Sequence, residues 1–195
     1  MRMRTTIASM TWLLAPALLG AQAQPMAQPM GRKQMTNAEF TAASRAAAPA
    51  KIAANATVMR WNPTTKAMET LAAGTNGFTC TYVDDFGAGF CGDANAWQFM
   101  MDAMAQKPKP TNTAPGICYM AAGGQHFETA SGEIKMTADS TTHAVKEPPH
   151  WMVMWPVDAS SGIPTKPVPN GTYIMFAGTP YAHLMIYQDP ATMMK

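Results

Sequence analysis

Apolar and polar residues alternate along much of this chain, and a shorter stretch repeats its apolar positions with helical spacing. Phe78, Cys80 and Tyr82 alternate with Thr79, Thr81 and Val83, the signature of a half-buried strand. Residues 57–61 read as another strand, and the turn chemistry of Asn62-Pro63-Thr64-Thr65 lets residues 67–71 return as its partner. Asn76-Gly77 marks a further turn, so this part of the chain predicts an antiparallel meander. Further strands are expected at residues 117–121, 150–155, 173–176 and 183–187.

Two helices are expected. Thr36-Asn37-Ala38-Glu39 has the spacing of a capping box and opens an Ala-rich helix that must stop before Pro49. Asp93 caps a second over residues 94–106, where Trp97, Met100, Met101 and Met104 share one face before Pro108 and Pro110. Residues 123–149 show no regular periodicity and read as a long loop, of the kind that is usually functional or mobile. These elements predict an α+β fold, a mainly antiparallel sheet of about six to eight short strands with two helices and long Pro/Gly-rich loops.

The first residues change the picture of where the chain works. Arg2 and Arg4 precede an apolar run over residues 7–19, and Ala21-Gln22-Ala23 follows, which is the layout of a secretory signal peptide. The run is too short to span a bilayer, which takes about 20 residues, and no other stretch approaches that length. A signal peptide over residues 1–23, a disordered mature N-terminus over 24–35 and one α+β domain over 36–195 are expected, in a secreted or periplasmic protein. Cleavage after Ala23 leaves 172 of the 195 residues and takes the formal charge from +2 to 0. No dense basic patch interleaved with aromatics follows, so nucleic-acid binding is unsupported.

Export also bears on the three cysteines. Cys80 and Cys91 flank Asp84-Asp85-Phe86-Gly87-Ala88-Gly89, and a disulfide across that Gly-rich loop is easily closed, contributing roughly 3 kcal/mol in the loop-entropy account. Cys118, in the apolar run Ile117-Cys118-Tyr119-Met120, reads as a small buried hydrophobe.

Two strands carry the chemistry. His150-Trp151-Met152-Val153 and His183-Leu184-Met185-Ile186 share a His-x-Met-aliphatic pattern, and each follows a proline closely. Alternation puts His150, Met152 and Met154 on one face of the first, and His183, Met185 and Tyr187 on one face of the second. If the strands pair, two imidazoles and several thioethers meet on one surface. His150, Met152, His183 and Met185 would then offer copper a soft N2S2 set, and the chain holds 19 methionines. The plainer account is that Met fills irregular cores and that a strand-initial His is a hydrogen-bonded structural residue.

Two other classes stay open. A metal-independent hydrolase would use His150 and His183 as an acid–base pair, with Asp84, Asp85 or Asp93 orienting one of them. No G-x-S-x-G, H-E-x-x-H or P-loop frame supports it. A non-catalytic envelope binding module would use Trp61, Trp97, Trp151 and Trp155 as an aromatic groove. The expected partner is accordingly a metal ion or a small ligand.

Four phrases point to relatives: Gly74-Thr75-Asn76-Gly77-Phe78-Thr79-Cys80, Asp93-Ala94-Asn95-Ala96-Trp97, Pro149-His150-x-Met152-Val153 and Gly178-Thr179-Pro180-Tyr181-Ala182-His183-Leu184-Met185. In this order the chain resembles a group of uncharacterised secreted bacterial proteins, over residues 50–186. The resemblance implies a shared fold and a shared site, and no reaction. The site would lie where the two His-x-Met strands meet residues 123–149.

Overall fold

The computed structural model describes residues 34–193, so the expected signal peptide and nearly all of the expected disordered segment lie outside the described residues. From Met35 onward the chain forms one compact unit. Its order is α1 (Asn37–Arg45), α2 (Ala50–Ala53), β1 (Thr57–Asn62), β2 (Ala67–Ala72), β3 (Thr79–Val83), β4 (Ala88–Gly92), α3 (Ala94–Met104) and β5 (Gly116–Met120). Then come β6 (Gly124–Thr129), β7 (Ile134–Lys135), β8 (Thr142–Glu147), β9 (His150–Met154), β10 (Thr172–Met175) and β11 (His183–Ile186). This is α+β with a mainly antiparallel sheet. Among the described residues there are three helices and eleven strands, more than the sequence predicts.

Both expected helices form where their caps place them. Thr36 and Glu39 satisfy each other's backbone amides in a full capping box at α1. Asp93 receives the Ala96 amide at the start of α3 through one oxygen and the Ile117 amide through the other, which pins the helix to β5.

Eight strands form one sheet in the order β10-β11-β9-β5-β4-β3-β1-β2. Every neighbouring pair is antiparallel except β1 and β3, which run parallel. The expected meander is therefore corrected at this point. After the β1–β2 hairpin the chain crosses back and adds β3 on the far side of β1.

The Gly-rich stretch between the cysteines is a tight hairpin rather than an open loop, and residues 88–92 form a strand buried along its whole length. Cys80 and Cys91 face each other across β3 and β4 and are disulfide-bonded. Gly89 lies so near α1 that an added Cβ would come 2.6 Å from the Ala43 carbonyl oxygen, and a Cβ at Gly116 would come 2.0 Å from the Ala96 nitrogen of α3. Glycine is what lets helices lie on both faces of this sheet.

Residues 123–149 are corrected as well. They fold into a second antiparallel sheet, β7-β6-β8, in place of a long irregular loop. The two faces of the large sheet have separate apolar layers. Ala47, Ile52 and Ala53 pack with Cys80, Cys91 and Tyr119 on one face. On the other, Ala96, Phe99 and Met100 of α3 pack with Phe90, Met152 and Met185. Cys118 is buried in this second layer, and burial, with the nearby Asp93 charge, pushes its thiol well up, as expected of an inert core cysteine.

Gly116→Ala should therefore lower the unfolding free energy in urea by about 2–3 kcal/mol, as overpacking against backbone does. A loss below about 0.5 kcal/mol, the range of an ordinary surface change, would mean α3 does not rest on β5 at this point.

Candidate functional site

The sheet register builds the site. β9 is paired with β5 on one side and β11 on the other, so inward-facing side chains line up in rows across the strands. One row runs Met175, His183 and, by continuation of the register, Met154. The next runs Tyr173, Met185, Met152 and Cys118. In the third, Met120 is paired with His150. Beyond His150 the same register brings Tyr187, whose ring centroid is 5.9 Å from that of His150.

The two His-x-Met strands thus pair as neighbours, and their shared face is the inner one. Met152 and Met185 are direct partners in the central row. His150 and His183 are not brought together. Because the strands are antiparallel, each histidine lies two residues from the central row in the opposite direction. Their positions are four residues apart along the ladder, which separates the Cα atoms by roughly 14 Å. The register does not gather His150, Met152, His183 and Met185 around one point, nor does it set two imidazoles against one scissile bond. Among the described residues no group of three or more His, Cys, Asp and Glu is arranged to hold a metal ion.

What the inner face does line is a cavity of about 600 Å³. Eight methionines and five phenylalanines contribute to its wall, drawn from the large sheet, α3 and the small sheet. The methionines of the two strands are therefore cavity wall as well as core. The tryptophans do not share a groove: Trp61 is exposed on β1 and Trp155 is exposed just past β9, Trp97 packs near Phe90, and Trp151 lies on the opposite face of the sheet. Asp84 and Asp85 belong to the β3–β4 hairpin and Asp93 is the α3 cap, while the Nδ1 atoms of the two strand histidines bond backbone carbonyls.

One end of the cavity is polar. Glu147, at the end of β8, is buried, and its Oε1 is 2.8 Å from His126 Nδ1 and accepts from the Tyr173 hydroxyl at 2.9 Å. The Tyr187 hydroxyl reaches the same oxygen at 3.4 Å. His126 bonds Glu128 through its other nitrogen at 2.7 Å. Burial alone would favour the neutral carboxyl, but the His126 bond, the nearby His150 and the Tyr173 hydroxyl together hold Glu147 below its ordinary value. Burial likewise opposes charge on His126, yet its two carboxylate partners raise its pKa. Each partner of the buried Glu147–His126 pair thus shifts the other toward its charged form. Burial and the adjacent carboxylate push the Tyr173 hydroxyl up, and burial first, then Glu147, pushes Tyr187 up to about 12.

The two histidines of the strands are in a different state. Each bonds through Nδ1 to a carbonyl two residues upstream, His150 to Pro148 at 2.7 Å and His183 to Tyr181 at 2.9 Å. Burial lowers the pKa of both, to about 4 for His183, so both rings are neutral at pH 7. With Nδ1 the donor, Nε2 is left as an acceptor. His150 Nε2 is fully buried without a hydrogen-bond partner.

The meeting of residues 123–149 with the His-x-Met strands is present in this structure, at His126, Glu147 and His150. Sequence reasoning placed His126 and Glu147 in an unpatterned stretch and gave neither a role. Their 21-residue separation carries no local signal, and only the β6–β8 pairing brings them together. No family model, no curated protein and no solved structure matches this chain.

His183 binds a proton in the unfolded chain near pH 6.5 and refuses it in the fold until about pH 4. Its contribution to stability is therefore fully present above 6.5 and is lost as pH falls toward 4. Between pH 7 and 4 the wild type should lose on the order of 3 kcal/mol more unfolding free energy than a His183→Gln variant. Urea titrations across that range check it; parallel curves for the two proteins would show that the ring is not held neutral.

Proposed function

We propose that this chain is an exported binding protein that holds a small, mostly apolar molecule in the cavity between its sheets. The observation that carries this reading is the composition of the wall. A space of about 600 Å³ falls within the range of small-molecule sites, and a Met- and Phe-rich wall with polar groups gathered at one end is the usual chemistry of such sites. Thioether side chains are unbranched and polarizable, so they adapt to varied apolar shapes. The deep burial of the histidines favours recognition over acid–base turnover, since neither ring is charged at neutral pH.

A neutral apolar fluorophore such as N-phenyl-1-naphthylamine tests this directly. It should bind the folded domain and brighten, and Ala103→Trp should weaken that binding at least tenfold with little change in melting temperature. Ala103 is a half-buried wall residue on α3, so the added indole fills cavity while keeping an exposed edge. Equal binding by the two proteins would place the probe elsewhere and remove the support for this site.

A second reading keeps the soft metal in a different form. His183 presents Nε2 from a ring fixed at Nδ1, and its cross-strand neighbours in one row are Met175 and Met154. One imidazole with two thioethers is a soft donor set that suits Cu(I), and anchoring the other ring nitrogen to a carbonyl is a common feature of histidine ligands. On this reading His150 belongs to the carboxylate end and is not a ligand. Competition against a Cu(I)-selective chelator should then show one site, lost in His183→Ala and retained in His150→Ala; loss in both variants, or in neither, counts against it.

A further inference from the structure

The polar end of the cavity narrows the class of molecule it takes, an inference that rests on the apolar-ligand reading above. Glu147 uses only one of its carboxylate oxygens. Oε1 has His126, Tyr173 and Tyr187 around it, whereas Oε2 accepts no hydrogen bond among the described residues. His150 Nε2 lies 3.7 Å from Oε2. That distance is too long for a hydrogen bond, and with Nδ1 the donor to Pro148 both facing atoms are acceptors. Two acceptors without a hydrogen bond among the described residues thus stand near each other, His150 Nε2 fully buried, and both residues line the cavity. The group that satisfies both must carry at least two N–H or O–H hydrogens.

Charge selects among such groups. His126 lies between Glu147 and Glu128, so this cluster carries one more negative than positive charge when all three are ionised. Asp85 adds a further carboxylate to the wall. The two lysines in the wall are already engaged, Lys107 with Asp102 at 2.6 Å and Lys135 with Glu133 at 2.6 Å. No free cation is therefore present among the described wall residues to receive an anionic head group. The neighbouring rings, Tyr187 beside both His150 and Tyr173, add no positive charge to the acceptor pair.

We infer that the cavity recognises an apolar primary amine, its ammonium group donating to Glu147 Oε2 and His150 Nε2 while its hydrocarbon body lies against the methionines. The carboxylate is already desolvated in the folded protein, so its attraction for an ammonium is little weakened by water. An alcohol of the same shape has one hydrogen for two acceptors, and a hydrocarbon leaves both unpaired.

The test uses three molecules of matched shape, 2-phenylethylamine, 2-phenylethanol and propylbenzene, each displacing N-phenyl-1-naphthylamine from the folded domain at pH 7. The amine should displace the probe at least tenfold more tightly than either of the others. That preference should fall to about twofold or less in Glu147→Gln, and by at least threefold in His150→Phe, which keeps a ring in place but removes the acceptor. Should either variant not fold, the ranking of the three molecules on the wild type still decides. Equal displacement by all three overturns the amine assignment while leaving the apolar cavity standing. Tighter binding of the alcohol overturns it too. If the probe binds and none of the three displaces it, the assignment fails for this site; if the probe itself does not bind, the apolar-ligand reading fails with it.

Discussion

The structure depends on the burial of one carboxylate. Glu147 ends β8 of the small sheet, yet its partners come from other elements: His126 from β6, Tyr173 from β10, and Tyr187 just beyond β11. A buried carboxylate without partners is costly by several kcal/mol, so each of these groups is under pressure to remain in place. The contact therefore fastens the small sheet to one end of the large one and closes the space between them into a cavity. Pro148-Pro149 follows directly and leads into β9 at His150.

The antiparallel order of β9 and β11 decides how the repeated His-x-Met pattern is used. Two identical patterns on parallel strands would align like with like. On antiparallel strands in this register the methionines meet in the centre and the histidines are sent to opposite ends. The two imidazoles consequently have different surroundings. His150 adjoins the Glu147 cluster, while His183 lies between the rings of Phe99 and Phe176, each 5.7 Å away between centroids. One residue type thus occupies two chemical settings, which a pattern of letters does not distinguish.

Much of the fold was legible. The strands at β1, β2, β3, β5, β9, β10 and β11 are where alternation puts them, and α1 and α3 begin at their predicted caps, because these signals are local and survive packing. The disulfide pair follows from cysteine spacing and is realised as a facing pair on adjacent strands. The four strands not foreseen fail for identifiable reasons. β4 reads Ala-Gly-Phe-Cys-Gly, poor in β-formers, and forms because α1 and α3 press on its two faces and leave room for little else. β6 and β8 are mostly half-exposed or exposed and β7 has two residues, so burial imposes no clean alternation on them. Their pairing, not their composition, makes them strands.

By itself the sequence determined seven of the eleven described strands, both helix caps, the cysteine pair and, within each strand, the common face of His150 with Met152 and of His183 with Met185. Each of these is set by interactions within a few residues or by the fixed two-residue period of a strand. Only the tertiary structure decided the strand order, the parallel β1–β3 pairing, the separation of the two histidines, and the assembly of His126, Glu147 and Tyr173 around one charge. Those features depend on which distant segments share a hydrogen-bonded ladder, and shifting a register by one residue would turn every inward side chain to the other face.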